Sequence, residues 1–165
     1  MRALGIEYVV GGVHWPLYVP IEREAVIRDY HRQNMFLATH PLVTIVAHPW
    51  WWMGAWRDAD GMYRSEPWLD DFGHIPQSMH EEFAAAAREH GAVVEFNLGA
   101  TVFNRSYPEG FKRQYVEYVA WLQGEGVTLS IGSDCHDEQY HPDFERAAEI
   151  LEAAGIEESR LWRLG

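Results

Sequence analysis

The sequence predicts an α/β fold in which four parallel strands alternate with four helices. Short apolar segments rich in β-branched residues recur along the chain, and a segment with helical periodicity follows each one. Apolar strands that alternate with amphipathic helices are typical of a parallel sheet covered by helices. The 165 residues suffice for one compact domain and no linker divides them, so we expect a single domain over residues 1–165.

The predicted elements follow one another in a regular order. The predicted strands are residues 6–13, 43–47, 92–98 and 127–131. The predicted helices are residues 22–36, a helix that begins at a capping box of Ser78 and Glu81 and ends at Gly91, residues 109–123 and residues 143–154. Residues 50–75 have no period and contain Gly, Pro and Asp, so we expect a long functional loop there. Residues 157–164 fit no single element.

Composition and charge exclude several classes of function. The formal net charge of -12 argues against broad binding of nucleic acid, and an anionic substrate would need local positive charge from arginines or metal ions. The sequence has no apolar run of transmembrane length and no basic-then-apolar leader, so neither a membrane span nor secretion is expected. The single cysteine, Cys135, suits a reducing cytoplasm, and we expect it to be a small buried hydrophobic residue.

Histidine and carboxylate side chains stand where the predicted strands end. His14 follows the first strand, His48 follows the second, Glu95 lies within the third, and Asp134 and His136 follow the fourth. The carboxyl ends of parallel strands meet at one edge of a sheet, so these side chains should gather there. Imidazole and carboxylate together suit zinc, manganese or iron. Each histidine alone has a structural explanation, but their joint placement favours a metal site.

The remaining histidines and the tryptophans have more ordinary explanations. We expect surface or capping roles for four histidines, namely His31, His40, His90 and His141. His74 and His80 flank the start of a helix after the long loop, and a role in the site stays open for both. Five tryptophans of the long loop should fill or cover the core, with stacking on a ligand as the alternative: Trp50, Trp51, Trp52, Trp56 and Trp68.

Five short motifs in order resemble the PHP (polymerase and histidinol phosphatase) superfamily, most closely its histidinol-phosphatase-like branch. They are YVVGGVH at 8–14, IVAHP at 45–49, EFN at 95–97, YP at 107–108 and IGSDCH at 131–136. The last motif is the most specific of the five. The resemblance covers about residues 5–155, and it concerns the C-terminal part of the family's domain only.

The resemblance implies a distorted barrel of seven strands, of which this chain would supply about four parallel strand–helix units. It also implies divalent metal ions at the carboxyl rim and hydrolysis of phosphate esters. His14 and His48 would share one ion, and Asp134 and His136 would bind the neighbouring ions. Three further residues would lie near the site: Glu95 and Asn97 would support the ligands or act as ligands themselves, and Arg105 would contact the substrate phosphate.

The chain also departs from the family pattern. Full-length relatives begin with a His-x-His motif, followed by a further histidine and a glutamate on the next two strands, and no His-x-His occurs here. By resemblance, the chain lacks the first three strands and holds about half of the ligand set, with fewer than three metal ions. Four strands cannot close such a barrel, so we expect a second copy, a partner chain or the tryptophan-rich loop to cover the exposed sheet edges.

Three functions remain in contention from the sequence. The first is a metal-dependent phosphoesterase that acts on a small phosphate monoester, with no catalytic side chain beyond the metal ligands. The second is a catalytically inactive, truncated relative that acts as a binding or assembly module with partial metal binding. The third is a hydrolase of a different substrate class, because ligands at strand ends recur across metal-dependent barrels.

Overall fold

The chain folds into alternating strands and helices, as a computed structural model shows. It describes residues 5–17, 19, 22–51, 56–57, 63–64, 69–136, 138 and 142–164. The strands are β1 (Val10–Gly12), β2 (Ile45–Ala47), β3 (Trp56–Arg57), β4 (Tyr63–Arg64), β5 (Val93–Asn97) and β6 (Leu129–Gly132). The helices are α1 (Arg23–Thr39), α2 (Gln77–His90), α3 (Glu109–Gly124) and α4 (Phe144–Ala153). Short 3-10 turns lie at Phe72–His74 and Glu158–Arg160, and a π-helical turn lies at Leu98–Val102.

Four strands form one parallel sheet in the order β1-β2-β5-β6, and the sheet is not closed. A helix follows each of these strands before the next one begins. The predicted α/β architecture of four parallel strand–helix units is therefore confirmed. Because all four strands run in the same direction, their carboxyl ends lie at one edge of the sheet, where the segments after β1, β2 and β6 emerge.

The helices cover one face of the sheet, and the main core lies between the two layers. A Cβ atom built on Gly11 would lie 2.8 Å from Cδ2 of Leu37 on α1, so this position faces the helices. Val46 and Val94 lie level with it on β2 and β5 and are fully buried. Burial of each large apolar side chain stabilises the fold by roughly 1.5–3 kcal/mol.

The opposite face of the sheet carries polar side chains near the carboxyl ends. A Cβ atom on Gly12 would lie 3.0 Å from Cε1 of both His14 and His48, so Gly12 faces this side. Side chains alternate along a strand, which places Glu95 and Asn97 of β5 on the same side as Gly12. The open face is therefore apolar where the strands begin, at Ile45 and Val93, and becomes polar at Glu95 and Asn97 near their carboxyl ends.

The two outer strands of the sheet meet different surroundings. The C-terminal segment covers the beginning of β6, where Leu161 forms a parallel bridge with Leu129 and the Trp162 N–H donates to the Leu129 carbonyl (2.7 Å). The ring of Trp162 also contacts Tyr8, which precedes β1 (centroids 5.4 Å apart). Val10 on β1 is 52% exposed. The expected open edges are therefore partly closed by the chain's own C-terminal residues.

Several predicted boundaries are wrong in detail. The predicted capping box does not form: α2 begins at Gln77, one residue before Ser78, and Pro76 precedes it without a side-chain cap. Helix α1 continues to Thr39 rather than stopping at residue 36. The expected loop contains the antiparallel pair β3–β4 and the 3-10 turn at Phe72–His74. Trp52 and Trp68 lie outside the described residues, as does His141, so their predicted roles stay predictions.

Candidate metal centre

His14 and His48 lie side by side at the carboxyl ends of β1 and β2. Their ring centroids are 4.9 Å apart and the rings are nearly perpendicular. Nδ1 of His14 lies 3.2 Å from the Gly12 carbonyl, which can only accept, so Nδ1 is the donor in this contact. Gly12 gives the two rings their room, because a side chain there would meet both of them.

His48 sits on a tight turn with an unusual backbone. Its φ is 29°, and that of Trp50 is 68°, both in the region that favours glycine. The Trp51 N–H donates to the His48 carbonyl (3.0 Å), and the His48 N–H donates to Oε2 of Glu95 (2.9 Å). Strained backbone of this kind persists where surrounding contacts over-determine it, and it clusters at functional sites.

Glu95 supports this turn from the neighbouring strand. Its Oε2 accepts a second hydrogen bond from Nδ2 of Asn97 (2.9 Å), and Asn97 in turn accepts one from the Ala100 N–H (2.7 Å). Burial raises the pKa of the Glu95 carboxyl, and the negative charge of Asp134 acts in the same direction. The hydrogen bonds from Asn97 and from the His48 N–H lower this pKa but do not cancel the effect of burial. Glu95 thus contacts the backbone of His48, and Asn97 contacts Glu95.

Asp134 and His136 form a second pair after β6. His136 Nε2 lies 3.4 Å from Oδ1 of Asp134, and the His136 side chain is 85% exposed. Asp134 has a φ of 54°, a third non-glycine residue with positive φ at a strand end. All three of the other predicted ligands lie close enough to affect the pKa of His48: His14 and His136 lower it, and Asp134 raises it. The four predicted ligands therefore lie at one edge, as two pairs.

The chemistry of these donors suits a divalent metal, and the structure brings them together as pairs. Burial, with a smaller effect of His14, lowers the pKa of His48 to about 4, so its ring is neutral at pH 7 as a ligand must be. Its Nδ1 is buried and has no hydrogen-bond partner. Within the described part of the chain, no group of three or more His, Cys, Asp or Glu side chains is arranged to hold an ion.

The other predicted residues have varied surroundings. Arg105 lies in an exposed turn between the π-helical turn and α3. The expectation that Cys135 is buried is wrong: it is exposed, because the chain has no buried residue from Ile131 to His136. His74 is exposed, with Nε2 2.7 Å from a guanidinium nitrogen of Arg23.

His80 lies in an aromatic cluster away from these pairs. Its ring stacks on Phe72 (5.8 Å) and contacts Tyr118 (4.7 Å), Trp50 (5.8 Å) and Trp121 (6.4 Å). Burial, together with nearby His31, lowers the pKa of His80 to about 4. These contacts account for His80 as a core residue of α2.

Trp51 is a contributor to the site that sequence reasoning did not single out. It is 9% exposed and contacts the rings of both His48 (4.7 Å) and His14 (5.6 Å). The sequence marked it only as one member of a tryptophan-rich loop. Its distance of three residues from His48, across a turn, is the one signal that could have placed it beside the imidazoles.

One solved structure has a similar fold. The chain superposes on a histidinol phosphate phosphatase from Lactococcus lactis subsp. lactis Il1403, complexed with zinc, L-histidinol and phosphate, with a TM-score of 0.61 and 15% identity. The match covers 91% of this chain and 57% of that chain. The present chain therefore shares the fold of the matched part of that phosphatase. The family resemblance that the motifs predict is thereby confirmed at the level of the fold.

Two further comparisons bound this result. No protein-family model matches the sequence, and no curated protein matches it. The chain spans little more than half of that phosphatase chain, so the activity of that enzyme is a hypothesis for this one. No helix in the described ranges is long and apolar enough to cross a membrane.

Proposed function

We propose that this chain is a metal-dependent hydrolase of small phosphate monoesters, acting with a rim of ligands at the carboxyl edge of its sheet. The observation that carries the proposal is the pairing of His14 with His48 at the ends of two adjacent parallel strands (4.9 Å between rings). The PHP-type fold supports it, because the similar phosphatase holds zinc and phosphate. L-Histidinol phosphate is one candidate substrate on the same ground.

Each rim residue has a stated part in this proposal. His14 and His48 hold one zinc, manganese or iron ion, and Asp134 and His136 supply ligands to a neighbouring ion. An ion bound there supplies Lewis acidity toward a phosphoryl oxygen and a nucleophilic water at neutral pH. Glu95 fixes the backbone of His48 through their 2.9 Å hydrogen bond.

The substrate phosphate needs positive charge, because the chain carries a formal net charge of -12. Metal ions held by the two pairs would supply part of it. Arg105 is the side chain that we assign to a phosphate oxygen, since a guanidinium matches phosphate in a bidentate geometry. A second copy or a partner chain along the β1 edge would supply the ligands that each pair lacks. We place the protein in the cytoplasm, in keeping with its single cysteine.

Hydrolysis by matched histidine variants tests the proposal. The wild type, loaded with zinc or with manganese, should release phosphate from p-nitrophenyl phosphate or from L-histidinol phosphate. His48→Ala and His136→Ala should each lower kcat/KM at least 100-fold, whereas His90→Ala, at the exposed end of α2, should leave it unchanged. Equal rates in all four proteins would overturn the proposal.

The absence of a three-donor group in the described residues favours a second function. A chain with only paired donors could bind a metal weakly and act as an inactive binding or assembly module. Metal binding without hydrolysis of any monoester in the panel would support that function over the enzyme.

A further inference from the structure

Asp29 is a buried carboxylate on α1 whose two oxygens accept four hydrogen bonds. The residue is 3% exposed. Its Oδ2 accepts from the Leu17 N–H (2.7 Å) and from Nε2 of Gln33 (2.8 Å). Its Oδ1 accepts from Nε (3.1 Å) and from Nη2 of Arg32. A buried charge is costly unless it is paired and hydrogen-bonded. Asp29 meets both conditions, because it pairs with Arg32 and accepts at both oxygens.

The protonation state of Asp29 agrees with this geometry. Burial raises its pKa, but the bonds from Leu17, Arg32 and Gln33 outweigh that effect and hold the pKa below its ordinary value. The side chain is therefore an anion at neutral pH. An anion accepts at both oxygens, which is what four surrounding donors require.

Two hydrogen bonds connect helix α1 to the segment that follows His14. The Leu17 N–H is bound by Asp29, and the Trp15 carbonyl accepts from Nε2 of Gln33 (3.0 Å). Gln33 lies one helical turn after Asp29 and donates to it as well. His14 itself is exposed, and its ring contacts the nearby Gly12 carbonyl and the rings of His48 and Trp51. Helix α1 thus binds the backbone at positions one and three residues after His14.

We propose that Asp29 is a positioning residue for the candidate metal centre, which sets the His14 ring against His48 by tying residues 15–17 to α1. The consequence for metal binding rests on the proposed function, whereas the arrangement of the rings does not. Replacing a residue that orients a metal ligand without touching the metal typically weakens metal binding by roughly 10–100-fold.

The test compares Asp29→Asn with a matched Asp→Asn change elsewhere. The amide of D29N turns one acceptor oxygen into a donor that faces other donors. D143N makes the same change at the N-terminal cap of α4, where Asp143 accepts from the Arg146 N–H. Gln33→Met, which removes the donor to both Trp15 and Asp29, is the second variant and serves if D29N does not fold.

Two measurements are made on each folded protein without and then with zinc. The first is the nuclear Overhauser effect between ring protons of His14 and His48 in the metal-free protein. The second is the zinc dissociation constant by calorimetry. We expect D29N and Q33M to lose the ring contact and to bind zinc at least 10-fold more weakly, and D143N to match the wild type in both.

The outcomes separate this inference from the proposed function. An intact ring contact and unchanged zinc affinity in folded D29N or Q33M would overturn the positioning role, and so would a wild type that lacks the ring contact. Loss of the ring contact in D29N, with no zinc binding even by the wild type, would overturn the proposed function and leave the positioning role standing.

Discussion

The carboxylate of Glu95 lies against the backbone of Gly132 so closely that a Cβ atom there would be 1.7 Å from Oε1. Glu95 and Gly132 are on neighbouring strands, two positions apart in the β5–β6 register. The glycine therefore makes room for the side chain that supports His48. This contact connects the strand that leads to Asp134 with the turn that carries His48.

Gly132→Ala should destabilise the protein through this contact. The added methyl group must displace Glu95, and such overpacking costs about 1–3 kcal/mol. Urea unfolding of G132A, of Glu95→Ala and of the double variant measures the coupling between the two positions. We expect the double variant to be more stable than the sum of the single changes predicts. Additive free energies would contradict the contact.

His80 should make the protein less stable in mild acid. Its pKa is about 4 in the fold, against an ordinary value of 6.5, so the unfolded chain takes up the proton first as the pH falls. The stabilisation is complete above pH 6.5 and is lost progressively toward pH 4. The free energy of unfolding falls between pH 7 and pH 5. In His80→Gln this fall should be smaller than in the wild type by roughly 2 kcal/mol.

The measurement for His80 is urea unfolding at several pH values. His48, also with a pKa of about 4, should maintain part of the acid sensitivity in the H80Q variant. His90→Gln, at an exposed position, is the control and should keep the full wild-type slope. A slope in H80Q equal to that of the wild type would show that the aromatic cluster does not keep His80 neutral.

Tyr8 and Trp162 should be energetically coupled although they belong to opposite edges of the sheet. Tyr8 precedes β1, Trp162 lies beside β6, and their rings meet edge to face with centroids 5.4 Å apart. Such aromatic pairs contribute about 0.5–1.5 kcal/mol beyond their buried area. A double-mutant cycle with Tyr8→Ala and Trp162→Ala should give a coupling in this range. A coupling of zero would mean that the sheet does not curve enough to bring its edges together.

The sequence could predict the sheet because its signals are local. Apolar β-branched segments indicated the four strands, and the rule that working residues follow parallel strands brought His14 and His48 together. Glu95 was recognisable as an acidic residue within an otherwise apolar strand. Gly91 was correctly placed at the end of α2, where its φ is 67°.

The remainder depends on contacts between distant parts of the chain. Nothing local marks Asp29, whose partner Leu17 lies across the strand-to-helix connection. The burial of His80 follows from the packing of α3 and the 3-10 turn around it, which no helix periodicity records. The capping box does not form because Pro76 occupies the N-cap position of α2, two residues before Ser78.

The metal content of the purified protein tests the central claim most directly. Plasma mass spectrometry on protein prepared without added metal should find at least one zinc, manganese or iron ion per chain in the wild type. The His14→Ala/His136→Ala variant, which removes one donor from each pair, should lose that metal, while His90→Ala should keep it. Wild-type protein without metal, or a double variant that retains the full wild-type content, would contradict a metal centre at this edge of the sheet.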